Sequence, residues 1–312
     1  DAAFQMLNLK KGDEVVLPSF TIVSCLAAVM RSGATPIFCD VDESSWNMSL
    51  ENIKQCVTDK TKAILMVHTY GLPAEAFEIE EFCNKNNILL IEDAAEAHGQ
   101  IVGGRYCGSF GQISTFSFYA NKHITTGEGG MVLTDSSEID ELCRKIRNLD
   151  FSIPRFQHEN LFWNYRMGGM QAALGRSQIN NLDKTISLKK KQGNIYQNLL
   201  NENNHLVQLP LKEFKGSQNH YWVFGIVLKE NGIRDRLIEI LKEKGIETRP
   251  FFWPLHLQSA LTDEMKNIKY NLPVSQNLGD NGLYLPLGKH VSTQKQKFIS
   301  KTLIDTILEL KN

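Results

Sequence analysis

The chain has 312 residues, 34 Lys and Arg against 35 Asp and Glu, a formal net charge of −1, and 42% hydrophobic content. That is ample material for a core, and it leaves no basic field for nucleic acid or an anionic membrane, so neither is expected as a partner. The longest apolar runs, AILMV (63–67) and ILLI (88–91), are far too short to span a bilayer, no basic-then-apolar leader opens the chain, and six scattered cysteines without a C-x-x-C pair predict reduced thiols in a cytoplasmic protein and no metal site.

The opening, DAAFQMLNLKKGDEVVLP, has no initiator Met and reads as the end of a helix already under way, so the true N-terminus is expected upstream. Short β-branched runs then recur as strands: EVVLPSF (14–20), TPIFCDVD (35–42), AILMVHTYG (63–71), ILLIEDAA (88–95), ISTFSFY (113–119) and GMVLTD (130–135). Helical stretches at 22–32, 48–57 and 74–86 lie between them. The alternation predicts an α/β fold, a mixed but mainly parallel sheet covered on both faces, with ligands at the carboxyl ends of its strands.

After residue 136 the pattern turns helical, through SSEIDELCRKIRNL and then 170–203, where apolar residues recur at three- and four-residue spacing. This predicts a connecting helix. HYWVFGIVL (220–228), RDRLIEILKEKG (234–245), IETRPFF (246–252) and a last helix over 293–310 predict a smaller α+β C-terminal domain. The expected division is a large domain over 1–185 and a connecting helix with the small domain over 186–312.

Chemistry concentrates in 88–135. Asp93 ends a strongly apolar strand, where an unpaired carboxylate is costly. Lys122 follows the next strand, in a loop leading to Gly127, Gly129 and Gly130. Two readings are open. The pair is a salt bridge between loops, or the amine forms a Schiff base with an aldehyde cofactor while the carboxylate holds the ring nitrogen protonated. Ser117, at a strand end, is placed to reach a phosphate.

The segments PSFTIVS (18–24), VHTYGLP (67–73), IEDAAEAHG (91–99), GSFGQISTFSFYANKHITTGEGGMV (108–132), NYRMGGMQAALGRSQI (164–179) and TRPFFWPLH (248–256) together resemble the DegT/StrS sugar-nucleotide aminotransferases, over nearly the whole chain and in order. The resemblance implies the fold type I aminotransferase architecture and pyridoxal 5′-phosphate as cofactor. It implies that Lys122 carries the cofactor and moves a proton, that Asp93 partners the pyridinium nitrogen, that Glu96 lies near the phenolic oxygen, and that Ser117 contacts the phosphate. Asn164 matches an asparagine that reaches the phosphate of the neighbouring subunit, which implies a homodimer with shared active sites.

Each of these positions has a plainer reading. Asn164 is open to a turn-forming role and Glu96 to that of a solvated carboxylate at a helix start. His98 and His123 read as surface donors, and Phe20, Trp46 and Trp163 as packing residues. Arg249 and His256 are candidates to face the sugar nucleotide, with a structural role as the alternative.

The segments DVDESSWNM, IEDAAEAHG and NKHITTGEGG look closest to the perosamine-synthase branch, which implies glutamate as amino donor, a GDP-linked 4-keto-6-deoxy sugar as acceptor and a place in surface-polysaccharide synthesis. A UDP- or dTDP-linked keto sugar is the alternative, and an inactive relative acting as a binding module is the reading from another class. Two departures stand out. The family's Gly-Thr/Ser phosphate turn falls before Asp1, and Ile22 stands where relatives often have an aromatic residue. A sister branch that dehydrates C3 has His in place of the lysine, so Lys122 favours amino transfer.

Overall fold

A computed structural model describes residues 1–311. The first half of the chain alternates short strands with helices. In chain order these are α1 (Ala2–Gln5), β1 (Glu14–Pro18), α2 (Val23–Arg31), β2 (Thr35–Cys39), α3 (Leu50–Cys56), β3 (Thr61–Val67), α4 (Ala76–Asn86) and β4 (Leu89–Asp93). A small hairpin, β5 (Ile101–Val102) with β6 (Arg105–Tyr106), precedes β7 (Ile113–Ser117), β8 (Gly130–Leu133) and α5 (Ser137–Arg147).

The main sheet runs β2-β1-β3-β4-β7-β8, with all pairs parallel except β7 and β8. Strand alternation sorts its side chains to two covered faces. Val16, Ile64, Met66 and Leu90 pack with Ile53 of α3 and Ile79 and Cys83 of α4. Val15, Leu17, Leu65 and Ile91 pack on the opposite side with Leu26 and Val29 of α2, Phe4 of α1 and Ile146 of α5. Local signals agree with this layering: Ser49 and Asn52 form a reciprocal capping box at the start of α3, and Asn87, in the left-handed conformation at φ 53°, ends α4.

The apolar pattern over 170–203 does not give one helix. α6 (Gly169–Ile179) stops at Asn180, and α7 (Leu182–Leu200) starts after Asn181. Two successive Asn side chains favour local backbone bonding over helix continuation. β9 (Val207–Gln208), a hairpin of β10 (Glu213–Phe214) and β11 (Ser217–Gln218), β12 (Phe224–Leu228), α8 (Arg234–Glu243), β13 (Arg249–Pro250), α9 (Asp263–Lys266), α10 (Pro273–Asn281), β14 (Gly282–Leu285) and α11 (Thr293–Lys311) complete the chain.

The second sheet is antiparallel, in the order β13-β14-β12-β9. The strand expected over 246–252 shrinks to two edge residues because Pro250 has no N–H to extend a ladder. The strand expected over 220–228 begins only at Phe224, since Tyr221 takes φ 48°. One face of this sheet packs Phe224, Ile226 and Leu283 against Tyr196, Leu237, Leu241 and Leu303. The other is continuous with the first core, where Trp222, Val227, Phe251 and Leu278 join Phe20, Trp46 and Tyr70. Among the described residues all six cysteines are free, and no helix is long and apolar enough to cross a membrane.

Candidate active site

Strand β4 ends with two carboxylates facing opposite ways. Glu92 shares the face of Leu90 and Ala94, and Asp93 shares that of Ile91. Glu92 is fully buried and saturated: it is 2.9 Å from His68 Nε2 and accepts N–H groups of Gly108, Phe110 (2.8 Å) and Gly111 (3.1 Å) and the Ser114 hydroxyl (2.9 Å). Burial opposes its charge, yet the donors from His68, Gly108 and Phe110 hold its carboxyl down at about 2. Burial opposes a second proton on His68 while Cys107 and Glu92 favour it, but the Ala74 N–H points at Nδ1 (3.0 Å), and this assigns the neutral Nε2–H tautomer. Cys107 closes this cluster. With every Glu92 oxygen already bonded, it ties β4 to the 108–114 loop.

Asp93 is only half buried. Its Oδ1 accepts the Ala95 N–H (3.0 Å), and its Oδ2 lies 3.5 Å from Cys25 Sγ, whose thiol is kept protonated by burial and by Asp93. It pairs in register with Val67 and Thr115, at the carboxyl edge of the sheet.

Lys122 sits on the β7–β8 connection, its N–H bonded to the Tyr119 carbonyl (3.0 Å). Its Nζ lies 3.4 Å from Glu96 Oε1 and 3.8 Å from the centre of the Trp222 ring, with 9% of the Lys122 side chain and 8% of that of Glu96 exposed. Glu96 Oε2 accepts the Tyr70 N–H at 2.8 Å. Burial raises the Glu96 carboxyl to about 7 despite the opposing pull of Lys122. Glu96 is therefore no solvated helix-start carboxylate.

His98 and His123, expected at the surface, are buried, their ring centres 6.2 Å apart and that of His98 5.3 Å from the Phe116 ring. Burial lowers them to about 4 and about 3, with Lys122 adding to the shift of His98 and Lys189 to that of His123, so both are neutral at pH 7. Both feel the Lys122 charge, which opposes their own protonation.

Ser117 ends β7 with its Oγ accepting the Tyr119 N–H (3.2 Å), which leaves the hydroxyl proton to donate outward. Asn164 does not join these groups within its own chain. It lies exposed, bridged to Asn148, with Oδ1 accepting the Arg166 N–H at 3.3 Å. Trp163, expected to pack, is 60% exposed. Phe20 and Trp46 do pack, at 0% and 3% exposure.

Arg249 extends into solvent and pairs with Glu247 at 2.9 Å. Both line a cleft of about 540 Å³ with Tyr119, Asn121, Lys189, Trp222 and Tyr284, next to the Lys122 loop. His256 lies elsewhere. It is buried with its Nδ1 2.6 Å from Ser19 Oγ, just past the end of β1, and burial lowers its pKa. Tyr70, Glu92, Lys189 and Trp222 escaped sequence reasoning. The signal available for Trp222 was an indole N–H inside an apolar run, a donor that requires a buried partner.

The residues fit pyridoxal 5′-phosphate. Asp93 offers an acceptor to a ring N–H, Ser117 a donor to phosphate, Lys122 an amine to an aldehyde, and Glu96 a carboxyl able to be neutral beside an anionic oxygen. Comparison with known proteins agrees. The sequence profile of the DegT/DnrJ/EryC1/StrS aminotransferase family matches residues 1–304. A GDP-perosamine synthase of Escherichia coli O157:H7 is 39% identical over 303 residues, 96% of this chain and 81% of that protein. The aminotransferase TlmJ from Streptoalloteichus hindustanus superposes with a TM-score of 0.92 at 27% identity, covering 99% of this chain and 83% of that one. The E. coli GDP-4-keto-6-deoxy-D-mannose-3-dehydratase with bound hydrated PLP superposes with a TM-score of 0.87 at 26% identity, covering 97% and 84%.

Proposed function

The chain belongs to the DegT/DnrJ/EryC1/StrS aminotransferase family, and from that premise we propose that it moves an amino group from glutamate to a GDP-linked 4-keto-6-deoxy sugar for surface-polysaccharide synthesis in the bacterial cytoplasm. The observation that carries the reading is the Lys122 amine, almost wholly buried between Glu96 and Trp222 at the sheet edge that Asp93 and Ser117 share. Residues 1–185 form the large domain of this reading, and 186–312 the connecting helix and small domain.

When bound, pyridoxal phosphate supplies an electron sink for charge that develops on the donor's α-carbon. Around it, each residue has a separate task. Asp93 Oδ, half buried at the carboxyl edge of the sheet, would accept the ring N–H. Ser117 Oγ donates to phosphate. Lys122 Nζ would carry the group and, as general base then acid, would hold the proton that leaves the amino acid's α-carbon. Glu96, poised near neutrality, holds a proton at Oε1 when an anionic oxygen is near. Neutral His98 and His123 keep water and further charge away from the amine. Arg249 suits the diphosphate, with His256 holding the strand end through Ser19.

The reading also includes a homodimer. Ile153, Leu161 and Met170 are 97%, 98% and 86% exposed, with Phe156, Trp163 and Ile179 also in contact with solvent, an apolar surface that pairing with a second copy buries. Asn164 lies in the same segment, consistent with a contribution to the partner's site.

The test is the visible spectrum of the protein with pyridoxal phosphate, against Lys122→Ala, followed by glutamate and a panel of keto sugar nucleotides. A band absent in Lys122→Ala and bleached by glutamate, then restored by the GDP-linked keto sugar, is expected. Restoration only by a UDP- or dTDP-linked sugar moves the substrate, and no band at all leaves a binding module.

A further inference from the structure

Trp222 has no task in the chemistry above, yet the chain holds it in place from several sides. Its N–H bonds the Tyr70 carbonyl (3.1 Å), its indole Nε1 bonds the carbonyl of Asn121 (3.1 Å), the residue before Lys122, and its own carbonyl accepts Lys189 Nζ (3.1 Å). Both flanking segments are strained. Tyr70 and Tyr221, bulky residues, take φ of 58° and 48°. Gly71 takes φ +93°, and a Cβ there would stand 2.7 Å from the Trp222 nitrogen. The contact between segments 69–71 and 220–222 thus needs this glycine and is held against backbone preference.

What that geometry delivers is a ring face. Lys122 Nζ stands 3.8 Å from the indole centre and 3.4 Å from Glu96 Oε1. The Asp93 carboxylate acts on Glu96 electrostatically, His98 and His123 contribute neutral rings whose protonation Lys122 opposes, and the Lys189 amine is turned to the Trp222 carbonyl. An ammonium on a flexible four-carbon stem, out of water, is attracted to the negative face of an indole.

We propose that Trp222 is a positioning residue: its indole face holds the Lys122 ammonium against Glu96, so that the amine waits at one place whenever it is not bonded to the cofactor. This rests on the reading of Lys122 as the cofactor-carrying lysine. A desolvated cation on an indole face corresponds to roughly 5- to 30-fold in occupancy.

Two readouts test it on the full chain. The first is tryptophan emission of cofactor-free protein, with Trp222→Phe subtracted to isolate Trp222 from the other three indoles. Lys122→Met is expected to change this difference spectrum and to leave the emission of Trp222→Phe itself unaltered. The second is the pH profile of the rate at which visible absorbance appears on adding pyridoxal phosphate, a reaction that needs the unprotonated amine. An indole face favours the ammonium, so Trp222→Leu is expected to move the midpoint of that profile down by about 0.7 to 1.5 pH units, the same 5- to 30-fold, with Trp222→Phe in between. Trp46→Leu, a buried indole of the same core, is expected to lower the melting temperature and leave the midpoint unchanged. An emission indifferent to Lys122→Met, a midpoint that Trp222→Leu leaves in place, or one moved equally by Trp46→Leu, overturns the proposal. Should Trp222→Leu not fold, Trp222→Phe decides. If native protein gains no absorbance, the cofactor reading of Lys122 fails, and the emission readout alone judges the contact.

Discussion

Glu96 is a carboxyl withdrawn from water with one cation and one amide N–H beside it. Its folded pKa of about 7 exceeds the ordinary 4.5, so folding favours the protonated form. The stability this group contributes is complete below 4.5 and is lost as pH rises to 7. In cofactor-free protein, Glu96→Gln, which stays neutral, is therefore expected to match the native protein at pH 4.5 and to exceed it at pH 8 by up to about 3 kcal/mol. Denaturant unfolding of both proteins across that range measures it, and a constant difference would contradict the burial argument. Little of this was legible in the sequence. The motif around Asp93 and Lys122 drew attention to Glu96, but its burial depends on groups such as Tyr70 and Trp222 that arrive from distant parts of the chain. Position in a loop says nothing about what later packs over it.

Strand β4 shows what the amino-acid pattern does reveal. Its apolar run and terminal carboxylate predicted a buried strand ending at the carboxyl edge of the sheet, and the mixed, mainly parallel α/β sheet followed from such runs alternating with helices. Glu92 was invisible because a carboxylate beside Asp93 in an apolar run looks like part of the strand end, and its partners lie sixteen to twenty-four residues away. Its five donors make it the joint between β4, β7 and the end of β3. Glu92→Gln turns an NH2 group toward those donors and is expected to cost about 3 kcal/mol at pH 7. The native carboxylate's contribution is complete above 4.5 and fades as pH falls toward 2, so the two proteins should converge in acid. Gly71→Ala is expected to cost about 2 kcal/mol or more, from left-handed strain and from the Trp222 nitrogen in the way. Thermal unfolding at two pH values separates the two substitutions, since only the first is sensitive to acid. The helix break at Asn180–Asn181 and the shortened β13 show the limit of periodicity, which registers apolar spacing and misses competition for backbone bonds.

At the scale of the molecule, the apolar surface around Ile153, Leu161 and Met170 and the exposed Asn164 make a specific expectation for two copies. If sites are shared, Lys122→Ala and Asn164→Ala are each inactive alone, but mixed subunits rebuild one intact site per hybrid dimer. Co-refolding equal amounts is expected to restore about a quarter of native turnover. No recovery would place Asn164 outside the partner's site. Leu161→Asp is expected to move the sedimentation coefficient toward that of a monomer. Within one subunit, the core cluster that unites Phe20, Trp46 and Tyr70 with Trp222, Phe251 and Leu278 joins both sheets, so a single calorimetric transition is expected in place of two.

That shared core also constrains how the protein is made. Lys122 and Glu96 leave the ribosome about a hundred residues before Trp222, and Phe251 follows later still. At roughly 5–20 residues per second, the nascent first sheet spends several seconds with Phe20, Trp46 and Tyr70 uncovered and with its lysine in water. A chain stalled before residue 220 lacks Trp222 and Phe251, so the surroundings of the Lys122 amine are completed late in synthesis.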